Sequence, residues 1–494
     1  MVRKSSRVAP LAVRGATSAR AAHHARPSPE PRARFSCARA RRSQVAPRRP
    51  RPPASSRPFE AVQRAMAETA EASKTPAQVG HSAPERPVLR SPRSRLRRWV
   101  LGAVAVPVLS GAGLWIAVHR IPWMGPLVAN GLRSVIGAEN VTAIEETAYA
   151  LEDRVHQLWR KDEPPKTYWE VPEQPGPAAT ASPPSAATPS PAAGGAGAAA
   201  FRPTDVGPSH AAWSAPGDGR WVPIADHAHP SDAPRLHKTL LHPDPNRSWA
   251  ELFIVAVDLA RVDVHLMAGS REPAATTEEG KPYERLAKIP EADHERLLAA
   301  FNGGFMTEHG QWGMRVDGVT LVRPRDQGCT LARHRDGRLQ IAPWTRLSAG
   351  ESDMQWWRQT PSCMVDEGEL HPLLRAPQVR NWGATLDGNT VIRRSAVGLD
   401  RDGKVLYVGI SNHTTAPAIA LGMQHAGASA VAQLDVNWSY PKFLLYEPGE
   451  GGALAPVALA SGFEFSEDEY IRKRSLRDFF YLTRKTPAPS TTTP

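Results

Sequence analysis

Residues 430–443, AVAQLDVNWSYPKF, place an acidic side chain near the end of an uncharged, mostly apolar run. The acid, Asp435, either starts a turn or faces a ligand. A carboxylate that faces a ligand can act as a general base or stabilise positive charge in a transition state. Asp435 is therefore the first candidate catalytic residue in this sequence.

A second candidate loop has the sequence LLAAFNGGFMTEHGQWG, residues 297–313. Asn302 can both donate and accept hydrogen bonds, and the adjacent glycines Gly303 and Gly304 allow backbone N–H groups to approach a polar or anionic ligand. The same residues are also typical of an ordinary turn. As a binding loop, this segment supplies Glu308 as a second candidate catalytic carboxylate.

Two further segments carry side chains suited to anions. RRSAVGLD places Arg393 and Arg394 before a predicted strand, where a guanidinium can hold a phosphate or can be a solvated charge. SNHTT, residues 411–415, places His413 near the start of a predicted helix. Helix N-termini attract anions, although the threonines of this segment can also act as ordinary N-caps.

The common catalytic and cofactor motifs are absent from the sequence. It contains no G-x-S-x-G, H-E-x-x-H, P-loop or G-x-G-x-x-G pattern, and its histidines and acids have no diagnostic metal spacing. We therefore expect no cofactor and no metal. Cys329 and Cys363 either form a disulfide, which an oxidising compartment would permit, or are two separate buried cysteines.

Positive charge is concentrated at the N-terminus. The whole chain has a formal net charge of +12, whereas residues 1–65 carry 16 basic and two acidic side chains, or +14, so the remainder sums to −2. This Pro-, Arg- and Ser-rich arm has too few apolar side chains to fold, and we expect residues 1–98 to be disordered. Because the charge is confined to the arm, we expect no nucleic-acid partner. Translation from Met66 is an alternative start.

Residues 99–118, WVLGAVAVPVLSGAGLWIAV, contain no charged side chain. About 20 such residues can span a bilayer as a helix, and the arginines before them place the N-terminus in the cytoplasm. The alternative is a cleaved signal peptide. The Ala-, Arg- and Pro-rich usage suits a GC-rich bacterial genome. We therefore predict a single-pass protein of the bacterial inner membrane, with its C-terminal part in the periplasm.

A juxtamembrane segment, residues 120–162, is predicted to be helical. Within it, apolar residues recur at alternating steps of three and four: Val141, Ile144, Ala148, Leu151, Val155 and Leu158. That spacing gives one apolar helical face. The face either forms a weak contact between two copies through residues 141–160 or lies on the membrane or the folded domain. Residues 163–208 are rich in Pro, Ala, Ser, Thr and Gly, which predicts a disordered linker.

Residues 217–485 are predicted to form one folded domain. LFIVAVDL and VDVHLMAG, from residue 252 onward, predict strands, and three Asp-Gly pairs separate further β-prone runs. From Thr414 the spacing predicts a helix that ends at Gly427, followed by a buried strand that ends near Asp435. The fold class is α+β, a mixed-sheet domain with packed helices.

The order of these motifs resembles the phosphodiester glycosidase family. The resemblance covers roughly residues 217–460 and consists of the NGGF loop, Arg394-x-x-x-Gly398, a Thr-started helix, and Leu434-Asp435 with Ser439. The family typically has LDGGGS at the last motif, whereas this chain has LDVNWS. Trp438 therefore stands where the family has glycine, and it could stack on a sugar ring.

The resemblance implies a hydrolase that cleaves a sugar 1-phosphodiester in envelope glycan. The implied catalytic residues are Asp435 and Glu308, and the implied substrate-binding residues are Asn302, Gly303, Gly304, Arg394, His413, Trp438 and Ser439. Because phosphate leaves as a stable anion, an anion clamp and one carboxylate can suffice. The alternative is a non-catalytic envelope module that binds glycan or protein. A scaffold acting through the basic arm is a weaker alternative.

Overall fold

The computed structural model describes residues 135–172, 201–375, 382 and 390–486, together with the single residues 106, 110, 111 and 113. All of these residues fall in the second of two compact units, residues 91–494. The predicted arm, most of the predicted transmembrane helix and the middle of the predicted linker lie outside the described residues. Among the residues that are described, no helix is long and apolar enough to cross a membrane.

The described chain is dominated by strands. Its three α-helices are α1 (Ala138–Trp159), α2 (Trp344–Leu347) and α3 (Ala416–His425), and short 3-10 helices include Thr307–His309. Its strands are β1 (Val222–Ile224), β2 (Leu236–Leu241), β3 (Glu251–Asp258), β4 (Val262–Met267), β5 (Leu297–Asn302), β6 (Met314–Val316), β7 (Val319–Val322), β8 (Cys329–His334), β9 (Leu339–Pro343), β10 (Met354–Thr360), β11 (Val365–Asp366), β12 (Glu369–Leu370), β13 (Arg394–Leu399), β14 (Val405–Asn412), β15 (Ala430–Val436), β16 (Phe443–Pro448), β17 (Leu454–Ala458) and β18 (Phe479–Arg484).

These strands form three antiparallel sheets. One has eight strands in the order β1-β2-β3-β14-β13-β15-β11-β12, and the others have five each, β7-β6-β10-β8-β9 and β17-β16-β5-β18-β4. Every named pair of neighbouring strands is antiparallel. The prediction of a mixed sheet was therefore wrong. Many successive strands are joined by short turns that reverse the chain, which produces antiparallel pairing.

The central strands of the eight-stranded sheet are buried on both faces, as β3 shows. All eight residues of β3 are buried. Phe253 and Val255 alternate with Leu252 and Ile254, so that the first pair joins the core shared with the other sheets and the second pair joins a core shared with α3. Burial on both faces explains why this strand lacks polar alternation in the sequence.

The predicted Asp-Gly turns join neighbouring strands as expected. Asp317 and Gly318 both have positive φ, 52° and 79°, and connect β6 to β7. Gly337 and Gly403 also have positive φ and lie between β8 and β9 and between β13 and β14. Glycine adopts positive φ at Gly318, Gly337 and Gly403 without strain, because it has no Cβ to clash with the backbone.

The helix and strand predicted around Asp435 are present. The N-cap of α3 is Thr415, whose hydroxyl oxygen accepts a hydrogen bond from the Ala418 N–H at 3.2 Å. After α3, Gly427 has a φ of 113°, and the chain enters β15. Asp435 is therefore the penultimate residue of a buried strand.

Cys329 and Cys363 form a disulfide. It joins the first residue of β8 to the loop that follows β10, across 34 residues of sequence. Both cysteines are buried. The sequence left open a disulfide or two separate cysteines, and the structure shows the disulfide.

Candidate active site around Asp435

The three motif segments meet at one end of the domain. The Asn302 side chain donates to the Ser395 hydroxyl at 2.8 Å, and that hydroxyl donates to the Asp435 carbonyl oxygen at 2.9 Å. The Asp435 N–H in turn donates to the Gly303 carbonyl oxygen at 3.1 Å. Asn302 is fully buried and also accepts from the Lys442 N–H at 3.1 Å. The Asn302 side chain therefore links the end of β5 to β13 and to the residue before β16, and it does not face solvent.

The carboxylate of Asp435 is buried, and each of its oxygens accepts a hydrogen bond. It is 2% exposed. One oxygen accepts from the Val436 N–H at 2.9 Å, and the other accepts from the Asn437 side chain at 3.2 Å and from Arg477. Burial raises the pKa of Asp435 above its usual value, while the Arg477 guanidinium and His309 act in the opposite direction.

Arg477 is a residue of the candidate site that the sequence did not reveal. Its side chain is 25% exposed and forms an ion pair with Asp435. It also lies 4.6 Å from the centre of the Tyr440 ring, a cation–π distance. The only local signal was an Arg-Asp pair before an apolar run, which is weak. Arg477, rather than Arg394, is the cation that lies beside the candidate catalytic acid.

Asn437 shapes the turn that replaces the glycine-rich motif. Its side-chain oxygen accepts from the Ser439 N–H at 3.0 Å and from the Tyr440 N–H at 2.6 Å. Asn side chains stabilise turns by such bonds to the backbone that follows. The backbone N–H of Ser439 therefore binds the Asn437 side chain, which in turn donates a hydrogen bond to the Asp435 carboxylate.

The glycines of the NGGF loop make room for a buried ion pair. The Gly303 N–H donates to the Asp478 carbonyl oxygen, and the Gly304 N–H donates to the Asp478 carboxylate, both at 3.0 Å. Arg358 binds the same carboxylate, with Nε at 2.8 Å. A Cβ on Gly303 would lie 2.2 Å from the Asp478 carboxylate. Both amides are thus occupied by protein acceptors instead of facing a ligand.

Arg394 is also engaged inside the domain. It is 0% exposed, and its nitrogens donate to the Thr414 and Thr390 carbonyl oxygens, to the Gln433 side chain and to the Trp382 carbonyl oxygen. Burial lowers its pKa to about 9, so it stays protonated at neutral pH. Every side-chain nitrogen of Arg394 has an acceptor, so Arg394 links the start of β13 to β15, to Trp382 and to the loop that contains Thr414.

Trp438 and His413 belong to an aromatic cluster beside the site. The rings of Trp438 and His413 are 5.3 Å apart, and the Arg393 guanidinium lies 4.7 Å from Trp438 and 4.4 Å from Phe463. Trp438 is half-buried, so part of its surface faces outward. Burial lowers the pKa of His413 to about 3, which keeps this ring neutral.

Glu308 lies further out. It belongs to the 3-10 helix Thr307–His309, has an exposed side chain and lies 3.5 Å from His309. His309 is the member of this pair whose charge affects the pKa of Asp435. Glu308 makes none of the hydrogen bonds or ion pairs that the structure describes for the Asp435 carboxylate, so the two predicted catalytic carboxylates are not joined.

Helix α1 packs over this region of the domain. Tyr149 contacts the small apolar cluster of Phe305, Ile392 and Val436, which flanks Asp435. Nearer its C-terminal end, the His156 ring lies 5.0 Å from that of His413. Among the described residues, no group of three or more His, Cys, Asp or Glu side chains could hold a metal ion.

Acid should destabilise the domain because histidines are buried in the neutral form. Burial lowers the pKa of His265 to about 4 and that of His413 to about 3. Unfolded histidines bind protons near pH 6.5, so below that pH the unfolded state binds more protons and the free energy of unfolding falls. At pH 5 the expected loss is about 2 kcal/mol for each histidine.

Thermal unfolding at pH 7 and pH 5 measures this loss. The His265→Gln variant should lose less stability between the two pH values than the unmodified protein. The exposed His229 provides the matched control, since His229→Gln should leave the difference unchanged. If His265→Gln loses as much stability between pH 7 and pH 5 as the unmodified protein, His265 is not buried in the neutral form.

No protein-family model matches this sequence, and no curated protein matches it. Solved structures show distant similarity. The catalytic domain of zebrafish N-acetylglucosamine-1-phosphodiester alpha-N-acetylglucosaminidase, auto-inhibited by its pro-peptide, is 17% identical, with 54% of this chain and 88% of that chain covered and a TM-score of 0.34.

Two other structures are similar at a comparable distance. A hypothetical protein from Synechocystis is 10% identical, with 52% of this chain and 65% of that chain covered and a TM-score of 0.30. A putative exported protein from Burkholderia pseudomallei is 11% identical, with 47% and 74% covered and a TM-score of 0.26. At such TM-scores these similarities carry no conclusion about the activity of this chain.

Proposed function

We propose that the domain is a hydrolase that cleaves a sugar 1-phosphodiester in cell-envelope glycan. The observation that carries the proposal is the meeting of three distant motif segments at Asp435. Asn302, Ser395 and Asp435 are linked by two hydrogen bonds although they come from three strands far apart in the sequence. These are the segments whose order resembles the phosphodiester glycosidase family.

In this reaction, water adds to the anomeric carbon and the bond from that carbon to the phosphate oxygen breaks. The products are a free sugar and a phosphomonoester. Asp435 supplies the carboxylate that activates water or stabilises the oxocarbenium-like transition state. Arg477, beside it and partly exposed, supplies the cation for the phosphate.

The proposed location is the periplasmic side of the inner membrane, with residues 99–118 as the anchor. The disulfide between Cys329 and Cys363 supports an exported domain, because disulfides persist in oxidising compartments. The uncharged segment 99–118 supports anchoring by its length and by the arginines that precede it.

A second function, binding without catalysis, is favoured by one observation. Both oxygens of the Asp435 carboxylate already have protein partners, and the side chain is 2% exposed. A carboxylate held in this way can support a binding surface formed by Trp438 and Arg477 without meeting a water molecule.

The two functions predict different results with the full-length protein in detergent. Hydrolysis is assayed on an α-GlcNAc-1-phosphodiester and on isolated envelope glycans, by release of phosphomonoester and of reducing sugar. Turnover that is lost in Asp435→Asn supports the hydrolase. Inactivity of the unmodified protein on all these substrates, together with glycan binding that Asp435→Asn leaves unchanged, overturns it in favour of binding.

A further inference from the structure

Helix α1 exposes most of its apolar face. The following apolar side chains are exposed: Ile144 (54%), Leu151 (62%), Val155 (41%) and Leu158 (76%). Val141, at the N-terminal end of the same face, is buried at 2%. The face therefore does not serve mainly to attach the helix to the domain.

The helix is attached to the domain through its other, polar side. Asp153 accepts two hydrogen bonds from Arg247, both at 2.7 Å. Tyr149 and His156 contact the domain on the same side. Successive helical residues are about 100° apart, so these three residues lie on the side of α1 opposite to Leu151 and Leu158.

We propose that the exposed face of α1 pairs with the same face of a second copy in a parallel two-stranded coiled coil. In heptad notation, positions a of this face hold Ala148 and Val155, and positions d hold Ile144, Leu151 and Leu158, whereas Val141, also an a position, is already buried and lies outside the seam. Branched Val at a and Leu at d favour parallel dimers. The domain contacts Tyr149, Asp153 and His156 fall at b and f, which face away from a coiled-coil partner.

The charged residues that flank this face favour the parallel orientation. Glu145 and Glu152 occupy e positions, and Thr147 and Arg154 occupy g positions. In a parallel pair, each g residue meets the e residue five positions further along the partner, which brings Arg154 to Trp159, a favourable cation–π pair. In an antiparallel pair, Glu145 of one copy would lie near Glu152 of the other, and like charges destabilise such contacts.

A bilayer surface is a poorer partner for this face. Helices that lie on membranes are rich in Lys and Arg on their polar side. Between Ala138 and Trp159, α1 has five acidic residues and one arginine, a net charge of 1 − 5 = −4. Anionic lipids would repel this helix, whereas a second copy offers a complementary apolar face.

A seam from Ile144 to Leu158, about two heptads, is marginal for an isolated coiled coil because helix formation itself is costly. Here the 22-residue helix is already formed on the domain, and the Arg247–Asp153 pair helps to fix it. Pairing then orders only side chains at the seam. Anchoring of both copies in one membrane, as proposed above, would raise their effective concentration further.

Cysteine cross-linking of the full-length protein in bacterial membranes tests the pairing. In a Cys37→Ser background, Leu158→Cys is expected to give a disulfide-linked dimer under mild oxidation. Equal residue numbers meet only in a parallel pair, because an antiparallel pair would place position 158 near position 141. Ala150→Cys, also exposed but at position c, should give at least about tenfold less dimer.

Charge at the seam provides the second measurement. In an Ile144→Cys reporter, adding Leu151→Glu and Leu158→Glu should lower the dimer yield at least about tenfold, because each copy would bury two charges at the contact. Equal yields from Leu158→Cys and Ala150→Cys overturn the proposal. So does a Leu158→Cys protein that stays monomeric, whether or not a water-soluble maleimide can reach the cysteine.

Discussion

Replacing Asp435 by Asn is expected to lower kcat/KM for a sugar 1-phosphodiester by at least about 100-fold. A side chain that acts in general acid–base catalysis typically contributes 100-fold to 10,000-fold. The change keeps the size of the side chain but removes its charge beside Arg477. Steady-state hydrolysis rates, measured beside circular dichroism to confirm folding, give the effect.

Asp468→Asn provides the matched control for this change. Asp468 also forms an ion pair with an arginine, Arg472, but its side chain is 48% exposed and it lies outside the proposed site. Its replacement should leave hydrolysis within about twofold, since exposed ion pairs contribute little. If Asp435→Asn behaves like Asp468→Asn, Asp435 has no catalytic role.

Arg477 provides a test of the same carboxylate through its pH dependence. The Arg477 charge lowers the pKa of Asp435 against the effect of burial. Arg477→Gln should therefore raise that pKa and move the acidic limb of the pH–rate profile to higher pH. If Arg477→Gln raises KM but leaves the acidic limb of the pH–rate profile in place, Arg477 binds substrate and does not influence the pKa of Asp435.

Breaking the buried Arg358–Asp478 pair should cost about 3–5 kcal/mol of unfolding free energy. Both side chains are essentially inaccessible, at 0% and 1% exposure. Arg358→Met removes one charge, and among the described residues it leaves the buried Asp478 carboxylate with a hydrogen bond from the Gly304 backbone N–H. Urea unfolding of the full-length protein measures the difference.

Arg472→Met is the control, because it removes an arginine from the exposed Asp468 pair and should cost under about 1 kcal/mol. Adding Asp478→Asn to Arg358→Met should recover part of the loss, since the uncompensated charge is gone. A cost below about 1 kcal/mol for Arg358→Met would mean that Asp478 protonates or becomes hydrated, and the pair would then contribute little to the fold.

The elements with strong local patterns could be predicted from the sequence. Strand β3, helix α3 and the Asp-Gly hairpins are each encoded by neighbouring residues, and all are present. The position of Asp435 at the end of a buried strand follows from the same local signal. The antiparallel arrangement depends on which strands pair across the sheets, and a local pattern does not determine that.

The polar contacts of the site could not be predicted in this way. Asp478 lies 174 residues from Gly304, and Arg477 lies 42 residues from Asp435. No periodicity connects such positions. The local pattern of the NGGF loop therefore indicates a ligand-binding loop, whereas in the structure its glycines leave room for the Asp478 carboxylate. The apolar pattern of α1 correctly predicted a helix, but the polar side of that helix holds it to the domain.

Strand β18 has a consequence for when the site can first form during synthesis. It is the last strand that the structure describes, and it lies between β5 and β4 in its sheet. Arg477 and Asp478, which directly precede it, complete the contacts of Asp435 and of the glycine loop. Translation must therefore pass Asp478 before these contacts can exist, and a product terminated before β18 would lack a finished site.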